Sequence, residues 1–329
     1  MRTSLLNKAN GLLTPAFEDH TARKESIFRA LAYFDIFRYP LSKEEIVEFM
    51  NQPADNRSIE QCLSELLNEG AVFSHQGFYC LQDNPLIMHR RNEGQQRAEK
   101  LLKKAGKIGR FLYQFPFVSG VAVSGSLSKN FAEENADIDF FIITKTNRLW
   151  LARTFMHLFK KLTFLTGRQH YYCMNYYIDE EALLLEEKNI FSAIELKTVL
   201  PVSGEKIMQH FFTVNQWANE WLPNCTYKKQ LQKDPRRTVL KKIIEWLLDN
   251  KAGNALDKFL FRIISRRWKN KTEKQKTNYK GVMMGMITGR HFAKSNPGNF
   301  QAKVLQQYEE KIVKISGISY PPLTVSSVK

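Results

Sequence analysis

Apolar residues recur at helical spacing through the first third of the chain and predict three short helices there. Ile27, Leu31 and Phe34 mark the first helix. Ser42, with Glu45 three residues later, forms a capping box that starts the second. The elements predicted next are a third helix over residues 58–69, strands over 71–74 and 78–81, and a long helix over 84–113. We therefore expect a small domain at residues 23–84, after an N-terminal arm at residues 1–22.

The middle of the chain changes to short apolar runs that are typical of buried strands. Residues 117–123 form one run and lead into Gly125-Ser126, and a second run begins at Asp137-Ile138-Asp139. A helix over residues 146–166 and a third strand over 170–178 follow. Side chains alternate along a strand, so Asp137 and Asp139 should lie on one face, about 6–7 Å apart. This order of elements predicts an α/β domain with a small mixed sheet at residues 85–180.

Helical spacing dominates the remainder of the chain. The predicted helices cover residues 190–200, 204–222, 238–248, 255–268 and 299–315. The polar run at residues 266–276 reads as a loop. Gly281, Gly285 and Gly289 recur at every fourth residue, which on a helix would form a smooth packing face. We expect an all-helical domain at residues 181–329.

Positive charge is concentrated in this last part. The 329-residue chain has a formal net charge of +16. Residues 226–294 alone carry 19 Lys and Arg against 5 Asp and Glu, a net charge of +14. Such an excess predicts an anionic partner, nucleic acid among the candidates. The alternative is that these residues are the solvated faces of amphipathic helices.

Composition also narrows the cellular context. Uncharged apolar stretches are shorter than the 18–20 residues, roughly, that cross a bilayer, and the N-terminus has no signal-peptide core. We expect a cytoplasmic protein with no membrane partner. The four cysteines are far apart and form no Cys-x-x-Cys pair, so we expect reduced thiols rather than a zinc site.

The Gly125-Ser126 turn and the two aspartates are the candidate chemistry. Paired carboxylates offer the oxygen ligands that hard divalent cations prefer. A glycine turn lets backbone N–H groups approach a phosphate closely. The alternative is an ordinary turn followed by a solvated pair of aspartates at the start of a strand.

These residues resemble the signature of the polymerase-β-type nucleotidyltransferase superfamily, and most closely that of its minimal bacterial members. The likeness rests on Gly125-Ser126, the eleven-residue step to Asp137, and Asp137-Ile138-Asp139. Lys129 and Asn130 stand where the family usually has Arg and Gly. The resemblance implies Mg²⁺ (or Mn²⁺) held by a catalytic pair, Asp137 and Asp139. It also implies an NTP bound by Gly125, Ser126 and Lys129, and nucleotide transfer to an acceptor.

The third carboxylate of that superfamily has no evident counterpart here. Asn175 is the residue we place opposite the aspartate pair, and an amide cannot accept a proton as a general base. Proton transfer would then depend on Asp179, on another acid such as Glu195, or on the metal. The rival interpretation is a catalytically degenerate protein that binds nucleotide and acts as a regulatory module.

The domain at residues 23–84 resembles a winged helix-turn-helix, a fold in which the third helix often reads DNA. Here residues 58–69 contain three Glu and no Lys or Arg. Phosphate contacts require positive charge, so this helix would repel DNA. We therefore expect a structural or protein-contact role, and a DNA-binding regulator is the less favoured alternative.

Overall fold

The computed structural model of the protein describes residues 15–53, 56–230, 233–277, 281 and 283–316. These residues form a mixed α/β structure with twelve α-helices, a three-stranded sheet and a six-stranded sheet. The chain divides into two compact units. The first comprises Met1–Met88, Leu222–Cys225 and Tyr308–Pro322, and the second comprises His89–Trp221, Thr226–Gln307 and Leu323–Lys329.

The first unit holds the three short helices and the small antiparallel sheet. Its elements are, in chain order, α1 (Pro15–Asp35), β1 (Leu41–Ser42), α2 (Lys43–Phe49), α3 (Asn56–Asn68), β2 (Phe73–His75) and β3 (Phe78–Cys80). Strand β3 pairs with both β1 and β2. The arm predicted over residues 1–22 lies outside the described residues up to residue 14, and the rest belongs to α1.

The capping box predicted from sequence is confirmed at the start of α2. Ser42 Oγ accepts a hydrogen bond from the Glu45 N–H at 3.2 Å, and the Ser42 N–H donates to Glu45 Oε2 at 2.9 Å. Ile46 and Phe49 then turn inward and are buried. The cap satisfies two backbone donors that a helix start leaves without partners.

The second unit holds the six-stranded sheet. Its elements continue in chain order as α4 (Leu86–Leu112, which begins in the first unit), β4 (Val118–Val123), α5 (Gly125–Ser128), β5 (Asp139–Thr144), α6 (Leu149–Thr163), β6 (Cys173–Asp179), α7 (Ile190–Thr198), β7 (Leu200–Ser203), α8 (Glu205–Val214), α9 (Ala218–Trp221), α10 (Val239–Leu248), α11 (Lys251–Glu273), β8 (Met286–Thr288), β9 (Phe292–Ser295) and α12 (Phe300–Ser316, which ends in the first unit). The strand order is β7-β4-β5-β6-β9-β8. Strand β4 runs antiparallel to β5, and β5 runs parallel to β6.

Apolar side chains of the central strands form the core of this unit. Val121, Val123, Phe140 and Ile142 are fully buried, and Trp150 of α6 is buried with them. Burying one such side chain stabilises the fold by about 1.5–3 kcal/mol. This core fixes β4 and β5 side by side, and so fixes the turns at their ends.

The expectation of an all-helical C-terminal domain is wrong, because β7, β8 and β9 all belong to the six-stranded sheet. The sheet is correspondingly larger than predicted. Pro201, directly after the helix predicted over residues 190–200, lies in β7 at the edge of the sheet, where a residue without an N–H is tolerated. Gly285 and Gly289 flank β8 rather than line a helix. A Cβ on Gly285 would lie 2.2 Å from the Asn296 carbonyl oxygen, so the glycine permits close backbone approach.

The polar run at residues 266–276 is also not the predicted loop, because α11 continues to Glu273. Ile264 and Trp268 keep one side of this helix partly buried while the basic residues between them face solvent. Polar residues favour a helix when every third or fourth residue still packs. No helix among the described residues is both long and apolar enough to cross a membrane.

Candidate active site

The turn after β4 brings the Gly125 backbone against the carboxylate of Asp139. Strand β4 ends at Val123, and the Ser124 N–H donates to the Asp139 carbonyl oxygen at 2.9 Å. Gly125 has a φ of +70°, and a Cβ placed there would lie 2.9 Å from Asp139 Oδ2. Only glycine adopts this backbone conformation without strain and leaves that space open. The following residue, Ser126, is exposed in the first turn of α5.

The two aspartates lie close together, although they do not share a strand. Strand β5 begins at Asp139, and Asp137 lies two residues before it, in an irregular segment. Burial raises the pKa of Asp139 from 3.8 to about 7, and the negative charge of Asp137 is the next largest cause. The Glu195 carboxylate raises the pKa further, and Lys160 opposes it. The site therefore concentrates negative charge in a poorly solvated place.

Asn175 lies beside Asp139, at the position predicted from sequence. The register between β5 and β6 shifts between the Phe140–Met174 and Phe141–Tyr176 pairs, so Asn175 falls in a bulge. Its Nδ2 donates a hydrogen bond to Asp139 Oδ1, and its Oδ1 accepts one from Cys173 Sγ at 3.1 Å. Asn175 thus orients the carboxylate and brings no negative charge of its own.

Lys129 lies at the turn as predicted, but its ammonium group is already paired. Its Nζ donates to the Gly125 carbonyl oxygen at 3.1 Å and to Glu195 Oε1 at 2.7 Å. Only 13% of the Lys129 side chain is exposed. A phosphate that binds Lys129 must therefore compete with the carboxylate of Glu195.

Asp179 lies away from this site. It pairs with Thr144 at the far end of β5, five residues from Asp139. Its carboxylate is fully buried, bonds His291 Nδ1 at 2.9 Å and accepts from the Asn147 N–H at 2.9 Å. Asp179, one of the three alternatives for proton transfer, therefore does not lie beside Asp139, because its partners hold it at the opposite end of the strand.

Three neighbours were not assigned to the site from sequence: the Ser124 N–H, the Cys173 thiol and Lys160. Burial raises the pKa of Cys173 to about 12, so the thiol remains protonated and donates. Glu195 was considered only as one possible acid, and the structure places it against Lys129. A sequence pattern could not have found Lys160, because its approach to Asp139 depends on how α6 packs beside β5.

The donor set fits a magnesium ion that is bound together with a nucleotide. Among the described residues, no three His, Cys, Asp or Glu side chains converge on one point. Mg²⁺ is commonly held by one or two carboxylates, with phosphate oxygens and waters completing the octahedron. Asp137 and Asp139 supply such a pair, and the raised pKa of Asp139 means that a nearby cation would relieve crowded negative charge.

Comparisons with protein-family models, with curated proteins and with solved structures find no match to this chain. The functional interpretation therefore depends on the residues of the site.

Proposed function

We propose that the protein is a metal-dependent nucleotidyltransferase that moves a nucleotide from an NTP to an anionic acceptor. The observation that carries this proposal is the Asp137–Asp139 pair beside the Gly125 turn, with the pKa of Asp139 raised to about 7. Two crowded carboxylates can hold Mg²⁺, and the backbone of a glycine turn beside them can contact the phosphates of a triphosphate. A surface that binds no ligand has no use for this arrangement.

In this reaction an acceptor hydroxyl oxygen bonds to the α-phosphorus of the NTP. The bond from that phosphorus to the oxygen bridging to the β-phosphate breaks, and pyrophosphate leaves with the electron pair. Mg²⁺ (or Mn²⁺), when bound, stabilises the charge on the attacking and leaving oxygens. Asp137 and Asp139 would hold the ion, and Asn175 keeps Asp139 oriented by its hydrogen bond.

The acceptor hydroxyl must lose its proton, and we infer that Glu195 is the base that accepts it. The negative charge of Glu195 raises the pKa of Asp139, so the two carboxylates are near each other. Glu195 Oε1 also lies 2.7 Å from Lys129 Nζ. When the β- and γ-phosphates attract Lys129, the Glu195 carboxylate loses its ammonium partner and is released to accept the proton. Lys129 thus couples phosphate binding to the release of a base, while Gly125 and Ser126 contact the phosphates.

A second candidate is a nucleotide-binding regulatory module without transfer activity. Asn175 favours it, because an amide occupies the place predicted for the third carboxylate and donates to Asp139. In that case the site would bind Mg·NTP, and no product would form.

We also propose that the second unit contains a nucleotidyltransferase-like core and that the first unit is a winged helix. A nucleotidyltransferase-like core is supported by the β4–turn–β5 unit and by β6 parallel to β5. A winged helix is supported by the order α1-β1-α2-α3-β2-β3 in the first unit. In that unit Glu60 pairs with Lys43, and Glu65 pairs with Lys24. The Glu side chains of α3 therefore have lysine partners within the unit, which supports a structural role over DNA reading.

The test is calorimetry with Mg²⁺ and a non-hydrolysable NTP analogue, followed by a transfer assay with α-labelled NTP. Asp137→Asn and Asp139→Asn should each abolish binding, because a hard cation needs anionic oxygen. Glu134→Gln is the matched control, since it removes one exposed carboxylate from the same loop. Unchanged binding in the aspartate variants would contradict the site. Binding by the wild type without labelled product from any acceptor would favour the regulatory module.

A further inference from the structure

Helix α10 buries two charged side chains and exposes most of its apolar ones. Lys241 and Glu245 are buried. Lys241 Nζ donates to the carbonyl oxygens of Tyr113 and Val118 at 2.6 and 2.7 Å, and Glu245 Oε1 accepts from the Phe117 N–H at 2.8 Å. Surface helices ordinarily show the reverse arrangement. These buried contacts fix the rotation of α10, so its apolar face must point away from the core.

That outer face is large and apolar. Between 49% and 79% of each side chain is exposed for a set of five residues: Val239, Leu240, Ile243, Trp246 and Leu247. The next helix, α11, also exposes apolar side chains, with fractions from 39% to 57% for Leu256, Phe259 and Ile263. Several large apolar side chains exposed on consecutive helices mark a contact site rather than ordinary surface. We call these eight residues the α10–α11 face.

Basic side chains border the face. Lys258, Arg262 and Lys269 form an exposed stripe about 100° around α11 from its apolar residues, together with Lys251 and Arg266. Residues 250–272 contain a single acid, Asp257, which is fully buried and bound by Arg290. Burial lowers the pKa of Lys271, and the positive charges of the nearby Arg267 and Lys276 lower it further. Positive charge is therefore dense near the end of α11.

We propose that the α10–α11 face docks on an anionic membrane surface, with its apolar side chains in the headgroup boundary and its basic stripe on acidic lipids. An apolar strip beside Lys and Arg, with an exposed Trp, is the pattern of helices that lie in a membrane interface. This departs from the expectation of no membrane partner, which was argued from the lack of a stretch long enough to cross a bilayer. It does not depend on the nucleotide site.

Other occupants fit the face less well. A second copy of the chain would bring a second strongly basic region to the same surface, which like charges oppose. A nucleic acid would satisfy the basic stripe but not Leu240, Ile243 or Leu247, which cannot stack on bases. Residues 1–14 and 317–329 contain no Asp or Glu, so neither terminal segment offers the negative charge that the stripe requires.

The test is flotation of the full chain with vesicles of phosphatidylcholine alone, or with 30 mol % phosphatidylserine. We expect binding only to the anionic vesicles, weakened by salt. Leu240→Gln combined with Trp246→Gln should reduce the affinity at least about tenfold. So should Arg262→Glu, Arg266→Glu and Lys269→Glu together.

Matched controls separate the face from general surface effects. Leu86→Gln changes an exposed leucine elsewhere, and Lys100→Glu, Lys103→Glu and Lys107→Glu change net charge equally on α4. Both controls should bind vesicles as the wild type does. A failure to bind anionic vesicles would overturn the proposal. So would a vesicle affinity that stays the same when Leu240 and Trp246 are replaced. A dimer in sedimentation that those changes dissociate would equally overturn it, in favour of self-association.

Discussion

Replacing Asp139 by asparagine should make the metal-free protein more stable while destroying the proposed nucleotide site. The carboxylate is held where its pKa is about 7, against 3.8 in the unfolded chain. The difference is about 3 units, and each unit corresponds to about 1.4 kcal/mol. Keeping Asp139 ionised above pH 7 therefore destabilises the fold by up to about 4 kcal/mol. Asparagine has nearly the same shape and no charge, so we expect a gain of about 1–4 kcal/mol at pH 8.

The free energy of unfolding should depend on pH in a direction that the raised pKa of Asp139 determines. Between pH 4 and pH 7, approximately, the folded protein keeps the Asp139 proton that the unfolded chain has lost, so wild-type stability falls as pH rises. Above pH 7 both states have lost the proton and the contribution is constant. The advantage of Asp139→Asn should therefore be largest at pH 8 and shrink to less than half of that value at pH 5.

The assay is urea unfolding in EDTA, followed by tryptophan fluorescence. All five tryptophans (150, 217, 221, 246 and 268) belong to the second unit, so the signal reports on the unit that holds the site. Glu134→Gln is the control for net charge and should leave stability within about 0.5 kcal/mol of the wild type. Equal or lower stability of Asp139→Asn at pH 8 would refute the argument, because the carboxylate would then be well solvated or paired.

Three further outcomes follow from the site and from α10. Gly125→Ala should weaken Mg·NTP binding at least about tenfold in calorimetry, and more than Ser126→Ala, which removes one hydroxyl worth about 1 kcal/mol. Glu195→Gln should slow transfer by about 10²–10⁴-fold in single-turnover kinetics without weakening Mg·NTP binding, and equal losses of both would contradict its role as base. Lys241→Met should destabilise the second unit by about 3 kcal/mol in urea, since it leaves two buried carbonyl oxygens without their donor and removes a positive charge from beside Glu245.

Patterns within a few neighbouring residues predicted many of the helices and strands, and also the residues that come together at the candidate site. The capping box at Ser42 depends on residues three apart, and the Gly125 turn depends on the backbone freedom of one residue. Asp137 and Asp139 lie near each other because only one residue separates them, although only Asp139 belongs to β5. Each of these arrangements is decided within a few residues, which is why the sequence alone indicates it.

Long-range packing decided what the sequence could not indicate. The four residues of β7 carry too little pattern to identify a strand, and their pairing with β4 defines them. Asp179 and Asn175 lie on one strand, and only the register with β5 separates the residue beside Asp139 from the one beside Thr144. The outward apolar face of α10 is set by Lys241 bonding two distant carbonyls, which no periodicity reveals.

The most direct test of the nucleotide site is anomalous diffraction from crystals grown with Mn²⁺ and a non-hydrolysable NTP. Manganese scatters anomalously and occupies magnesium sites, so its position can be read independently of the nucleotide. We predict one manganese peak within about 2.0–2.3 Å of carboxylate oxygens from both Asp137 and Asp139, with the β- and γ-phosphates beside Gly125 and Lys129. A nucleotide bound elsewhere, or bound here with no metal at the two aspartates, would contradict the account.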